Sequence, residues 1–171
     1  MTSKPLIAVS RCLLGDRVRY DATIKEYPLL LNFIKQHFKV ISVCPEVEIG
    51  LTVPRAPVQL CGSTDNIHIL GRDDPSIDIT VNMQSYCQQR PPQLDSIHGY
   101  IFKSKSPSCG IENIPVHNNG EIISMTKGVF VTAILQHFPK LPITDELDLI
   151  NHEHCEIFLQ LVKKHQQNQT C

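Results

Sequence analysis

The sequence predicts an α/β fold: a Rossmann-like, mainly parallel sheet flanked by helices, with a small β-hairpin inserted beside it. Three observations predict this. Short apolar, β-branched runs at Leu6-Ile7-Ala8-Val9, Val40-Ile41-Ser42-Val43 and Tyr100-Ile101-Phe102 have the unalternating character of strands buried on both faces. Segments of helical period lie between and after them, as crossover connections require. Beyond the carboxyl end of each run the loop carries a cysteine: Cys12, Cys44 and Cys109. In an open α/β sheet those loops are where ligands bind.

The first strand ends at Ser10-Arg11-Cys12 and leads into the loop Leu13 to Asp21. An amphipathic helix is expected from Glu26 to Phe38, with Leu29, Leu30, Phe33, Ile34 and Phe38 on its buried side. The second strand stops at Val43-Cys44-Pro45-Glu46, where the proline ends ladder pairing. Val58-Gln59-Leu60 and Ile67-His68-Ile69-Leu70, joined by the turn Gly62 to Asn66, form the inserted hairpin. Asp78-Ile79-Thr80 starts a helix that runs to about Arg90, with Thr80 near its cap and Pro91-Pro92 at its end. After the Tyr100–Phe102 strand and a polar turn at His117 to Gly120, a helix is expected from Lys127 to Phe138. A last short strand falls at Leu141 to Thr144. The final helix is expected to start at Thr144-Asp145-Glu146, with acids in its first turn, and to fade into a polar tail from about Lys163.

The 171 residues suffice for one domain with a sizeable core and are short for two. A formal net charge of −1 provides no global field for nucleic acid or an anionic membrane. No apolar run reaches the length of a membrane span and no signal-peptide core is present, so the expected location is cytoplasmic. The seven cysteines are odd in number and widely spaced, with no CxxC pair, which disfavours a disulfide framework and a zinc ribbon alike.

Cys12, Cys44 and Cys109 form a candidate soft-metal site assembled by the fold from three remote loops. The competing reading is that they are buried small hydrophobes, as free cysteines often are, and it is preferred for Cys61, Cys87, Cys155 and Cys171. Glu46, two residues after Cys44, places a carboxylate beside that thiol, where it could act as general base or simply as a surface acid. The loop Lys103-Ser104-Lys105-Ser106-Pro107-Ser108-Cys109-Gly110 concentrates hydroxyls and ammonium groups suited to a developing anion or a phosphate. Arg17, Arg19 and Arg55 lie in loops at the same edge and suit planar carbonyl or phosphate groups, with plain salt bridges as the alternative. His152, His154 and Cys155 do not make a zinc site: on a helix the two histidines point about 200° apart.

Taken together, Ser10-Arg11-Cys12-Leu13-Leu14-Gly15, Val18-Arg19-Tyr20-Asp21, Val43-Cys44-Pro45-Glu46-Val47 with Pro54-Arg55-Ala56-Pro57, Asp78-Ile79-Thr80, and Lys103 to Gly110 resemble the thiouracil/thiouridine desulfidase family. The matching stretches run in order over nearly the whole chain. The resemblance implies a [4Fe-4S] cluster held by Cys12, Cys44 and Cys109 with the fourth iron open to substrate. It implies non-redox removal of sulfur from a small thiolated pyrimidine (thiouracil, 4-thiouridine or its monophosphate), giving the oxo-pyrimidine and sulfide. Glu46 falls at the family's catalytic carboxylate and Ser104 at the assisting serine, with Ser106 and Ser108 close enough to compete. Arg19, Arg55, Lys103, Ser106 and Ser108 are then the expected substrate-binding residues. Two departures stand out. Arg11 occupies a place where many relatives carry a small residue, and the extra C-terminal domain of some relatives is missing, which favours a free base, nucleoside or nucleotide over tRNA. The alternatives are a cluster-dependent sulfur transferase acting on RNA, and a non-catalytic metal module with Cys61 or Cys87 as fourth ligand.

Overall fold

The computed structural model describes residues 3–170; Met1, Thr2 and Cys171 lie outside it. Four short strands form a parallel sheet in the order β2-β1-β5-β8: β1 (Leu6–Ser10), β2 (Lys39–Val43), β5 (Tyr100–Phe102) and β8 (Ile143–Asp145). The chain moves from β1 to one side and then returns to the other, so β1 sits at the switch point of the sheet. Alternation along each strand divides the core. Ile7, Val9 and Ile101 face Leu30 and Ile34 of α1 (Pro28–His37) and Phe158, Leu159 and Val162 of α5 (His152–Thr170). Ala8, Tyr100 and Phe102 face Phe130, Val131 and Ile134 of α4 (Val129–His137). Burial on both faces explains why these runs read as continuous apolar stretches.

A second four-stranded sheet, β4-β3-β6-β7, stands beside the first. It contains the expected hairpin, β3 (Val58–Ser63) antiparallel to β4 (Asn66–Gly71), and extends it with β6 (Ile114–Asn118) and β7 (Glu121–Thr126). The sequence showed the Asn118-Asn119-Gly120 turn but not the strands it joins. Asn119 and Gly120 take φ of +51° and +83°, as a tight two-residue hairpin turn requires. Pro115 sits within β6 and the side chains of Ile122, Ile123 and Met125 on β7 are exposed, so the usual strand pattern is blurred there. Leu60, Ile69 and Val116 of this sheet pack on Ile79 and Met83 at and within α3 (Thr80–Gln89).

Three expectations are corrected. Leu29 is 76% exposed, because α1 begins at Pro28 and turns Leu30 and Ile34 inward. The final helix starts at His152, since Thr144 and Asp145 belong to β8 and the backbone amides of Leu147 and Asp148 donate to the Asp145 carboxylate. Residues 163–170 are helical, and the side chain of Gln166 reaches the Ser3 carbonyl. At α3 the N-cap is Ile79; Asp78, just before it, accepts the Thr80 amide at 2.9 Å, while Thr80 Oγ1 accepts the Ile69 amide.

Candidate active site

The carboxyl ends of β1, β2 and β5 open into one cavity of about 360 Å³. Cys12 lies in the single 3-10 turn (Arg11–Leu14) that follows β1, and Cys44 between β2 and the short helix α2 (Pro45–Glu48). Cys109 lies within the loop that joins β5 to β6. All three thiols line the cavity, together with Glu46, Arg19, Arg55, Lys103, Ser104 and Ser106. Ser108 does not line it; Arg17 is likewise outside its wall. Ser10, the first residue of the motif that carries Cys12, also lines the cavity, as do Lys25 and Arg72, which lie in none of the motifs.

The loops are fixed by specific bonds. Ser10 Oγ accepts the Lys103 amide at 2.9 Å, tying the ends of β1 and β5. The Cys44 amide donates to Glu48, whose other oxygen receives Tyr86 OH and Arg90 Nε, so α3 braces the Cys44 turn. Ser106 Oγ accepts the amides of Ser108 and Cys109. In the first turn of α4 the Val129 amide donates to the Pro107 carbonyl and those of Phe130 and Val131 to the Ser108 carbonyl. Gly128 is required by this close approach. A Cβ there would stand 2.4 Å from the Ser108 carbonyl oxygen.

The buried Glu46 carboxylate receives the Ser108 hydroxyl at 2.5 Å on one oxygen and faces Cys44 Sγ at 3.8 Å with the other. Ser108 Oγ also touches Ser106 Oγ at 3.1 Å and Cys109 Sγ at 3.5 Å. Ser108 therefore meets the cavity wall through Glu46, Ser106 and Cys109 rather than lining it itself. Ser104 makes a different set of bonds. Its amide and hydroxyl both donate to the buried Glu146, at 2.8 and 2.6 Å. Lys103 Nζ donates to Glu146, to Ser104 Oγ at 3.1 Å and to the Ser104 carbonyl at 3.0 Å, so its three protons face protein acceptors. Burial raises the Glu146 carboxyl, but the bonds from Lys103 and Ser104 outweigh it and hold the group below its ordinary range. Glu146 follows β8 at the same sheet edge as the cysteines. The strand-end rule would have found it had β8 been given its full extent.

Arg19 Nε donates to Thr23 at 3.1 Å, and Arg55 Nη1 to the carbonyls of Val18 and Thr52 at 3.0 and 3.3 Å. Arg11 is paired with Asp16 at the rim. Burial pushes the thiols up, Cys12 to about 11, Cys44 to about 12 and Cys109 well above its usual value. The charge of Glu46 adds to the rise in each of them. Lys103 is the main opposing influence at Cys12. A cation beside these three polarisable sulfurs would favour their thiolate form.

An α/β fold with thiols, a buried carboxylate and hydroxyls gathered at the switch-point edge defines a ligand-processing enzyme rather than a structural module. Comparison with known proteins makes that class specific. A family model described as 2-thiouracil desulfurase matches residues 7–146, and the chain belongs to that enzyme family. A solved structure of TudS, described as a [4Fe-4S]-dependent thiouracil desulfidase, matches with a TM-score of 0.69 and 25% sequence identity. The match covers 92% of this chain and 99% of that one. No curated protein shows significant sequence similarity.

Proposed function

We propose that the chain is a single desulfidase domain. On this reading it converts a small thiolated pyrimidine (thiouracil, 4-thiouridine or its monophosphate) and water into the oxo-pyrimidine and sulfide. It would use a [4Fe-4S] cluster held by Cys12, Cys44 and Cys109. The observation that carries this is the convergence of those three thiols and Glu46 on one cavity. The donor set suits the cluster: three soft ligands, no fourth cysteine in the wall among the described residues, and a space larger than a single ion needs. Among the described residues, no three His, Cys, Asp or Glu side chains converge on a single-ion site. Cys61 and Cys87, the fourth ligands that a closed structural centre would need, do not line the cavity.

The cluster, when bound, would supply a Lewis-acidic iron for the thiocarbonyl sulfur and a sink for sulfide. The reaction exchanges C=S for C=O with no net electron transfer, so the chain has only to manage water and protons. Glu46, steadied by the Ser108 hydroxyl, takes a proton from the water whose oxygen bonds to the ring carbon. The Ser104 and Lys103 pair lies across β1 from Glu46, at the carboxyl end of β5. Ser104 Oγ, its proton on Glu146, accepts from Lys103, and it is the Lys103 ammonium whose charge would offset the negative charge that gathers as the C–S bond breaks. Arg19 and Arg55 border the entrance and would orient the pyrimidine carbonyl or a phosphate. We place the enzyme in the cytoplasm, in line with six unpaired cysteines among the described residues. Among those residues no helix is long and apolar enough to cross a membrane.

The deciding experiment measures iron and acid-labile sulfide per chain in anaerobically prepared protein, beside Cys109→Ala. About four irons in the parent, lost in the variant, with decay of the thio-chromophore of 2-thiouracil or 4-thiouridine monophosphate, is the expected result. A parent that resists reconstitution, or that holds one zinc tightly, would sink the proposal.

A further inference from the structure

Glu146 is a buried carboxylate for which the reaction as described has no task. It stands just beyond β8, next to β5 in the sheet, and every strong bond it makes runs to the two residues that open the β5 loop. A purely structural acid could satisfy itself with backbone amides. Glu146 instead receives the Ser104 amide, the Ser104 hydroxyl and the Lys103 ammonium together. The Lys103 side chain is only 14% exposed and that of Glu146 3%, so neither charge is solvated by bulk water and each depends on the other. The clamp has a directional consequence. With its proton on Glu146 and the Lys103 ammonium on its Oγ, the Ser104 hydroxyl is held in one orientation at the cavity wall.

We propose that Glu146 is a positioning residue that holds the Ser104 hydroxyl and the Lys103 ammonium in their working orientation at the cavity wall. It touches no reacting atom and acts through Ser104. The inference rests on the desulfidase reading for its effect on turnover, but not for its effect on Lys103.

Glu146→Gln tests it. An amide in this place presents hydrogens to the Lys103 ammonium and loses the charge that compensates it, while changing little in volume. Two readouts are needed. In metal-free protein, acylation of Lys103 by acetic anhydride, mapped by mass spectrometry, should rise several-fold over the parent, while exposed Lys163 keeps its rate. In cluster-loaded protein, kcat should fall roughly 10- to 100-fold with KM and iron content unchanged, the scale on which a misplaced group costs activity. Glu146→Asp, which keeps the charge, should restore the protection of Lys103 and part of kcat. Unchanged labelling, or a loss of activity that tracks lost iron, overturns the proposal. If Glu146→Gln does not fold, Glu146→Asp, Ser104→Ala and their combination decide: positioning requires strongly non-additive losses in kcat, and additive losses refute it. A parent inactive on thiopyrimidines would instead remove the desulfidase reading, with the labelling still reporting whether Glu146 holds Lys103.

Discussion

Ser108→Ala separates the serine that contacts the candidate base from the serine that the sequence motif favours. Ser108 is 2% exposed and Glu46 8%, so water cannot simply replace the lost hydroxyl. Among the described residues, Ser108 is the hydrogen-bond donor on Glu46 Oε1, at 2.5 Å. A bond to a charged group contributes about 1.5–3 kcal/mol net, so removing it from a buried carboxylate should cost about that much stability. For a chain of this size, about 2–4 °C per kcal/mol gives a fall in Tm of roughly 3–12 °C. Urea or thermal unfolding of the metal-free protein measures it, with the anaerobic thio-chromophore assay run on the loaded enzyme. Turnover should fall because the carboxylate loses its fixed aim, while iron content holds because all three cysteines remain. A stability change under about 0.5 kcal/mol together with unaltered kcat would refute the argument, since that is the range of substitutions touching nothing of consequence.

Other outcomes follow from the same contacts. Gly128→Ala drives a Cβ to 2.4 Å from the Ser108 carbonyl oxygen and 2.9 Å from the Cys109 nitrogen, both backbone atoms that cannot swing aside. It should destabilise by about 1–3 kcal/mol and lower iron retention by displacing Cys109, read by metal analysis and unfolding. The Glu146 carboxyl sits below its ordinary 4.5 in the folded chain, so the unfolded chain takes up that proton first as pH falls. Its contribution to stability is therefore complete above that ordinary value and is lost as pH drops through the lowered one. As pH falls below that ordinary value the parent should lose more unfolding free energy than Glu146→Gln, and equal slopes would contradict the clamp.

How far the sequence reached depends on how local the signal was. The strand runs of β1, β2 and β5 were legible because burial on both faces leaves an unmistakable apolar block, and the cysteines were legible because they follow those blocks. Leu29 was misplaced because helical period fixes a stripe but not its phase, which Pro28 and the packing of Leu30 and Ile34 decide. The second half of the second sheet escaped because Pro115 and the exposed apolar side chains of β7 break the expected alternation. The final helix was begun too early because Thr144-Asp145-Glu146 has the chemistry of a helix start, and only pairing with β5 makes it a strand.

By itself, then, the sequence determined the α/β class, the strand ends that carry Cys12, Cys44 and Cys109, and the family to which those motifs belong. Period, turn chemistry and residue type are properties of neighbours along the chain, and they survive without coordinates. Only the tertiary structure decided which serine meets which carboxylate. It joined Ser108 to Glu46 across 62 positions and Ser104 to Glu146 across 42. Such pairs are chosen by the order of strands in the sheet and by the cost of burying a charge without a partner, and neither quantity is written in any local stretch of sequence.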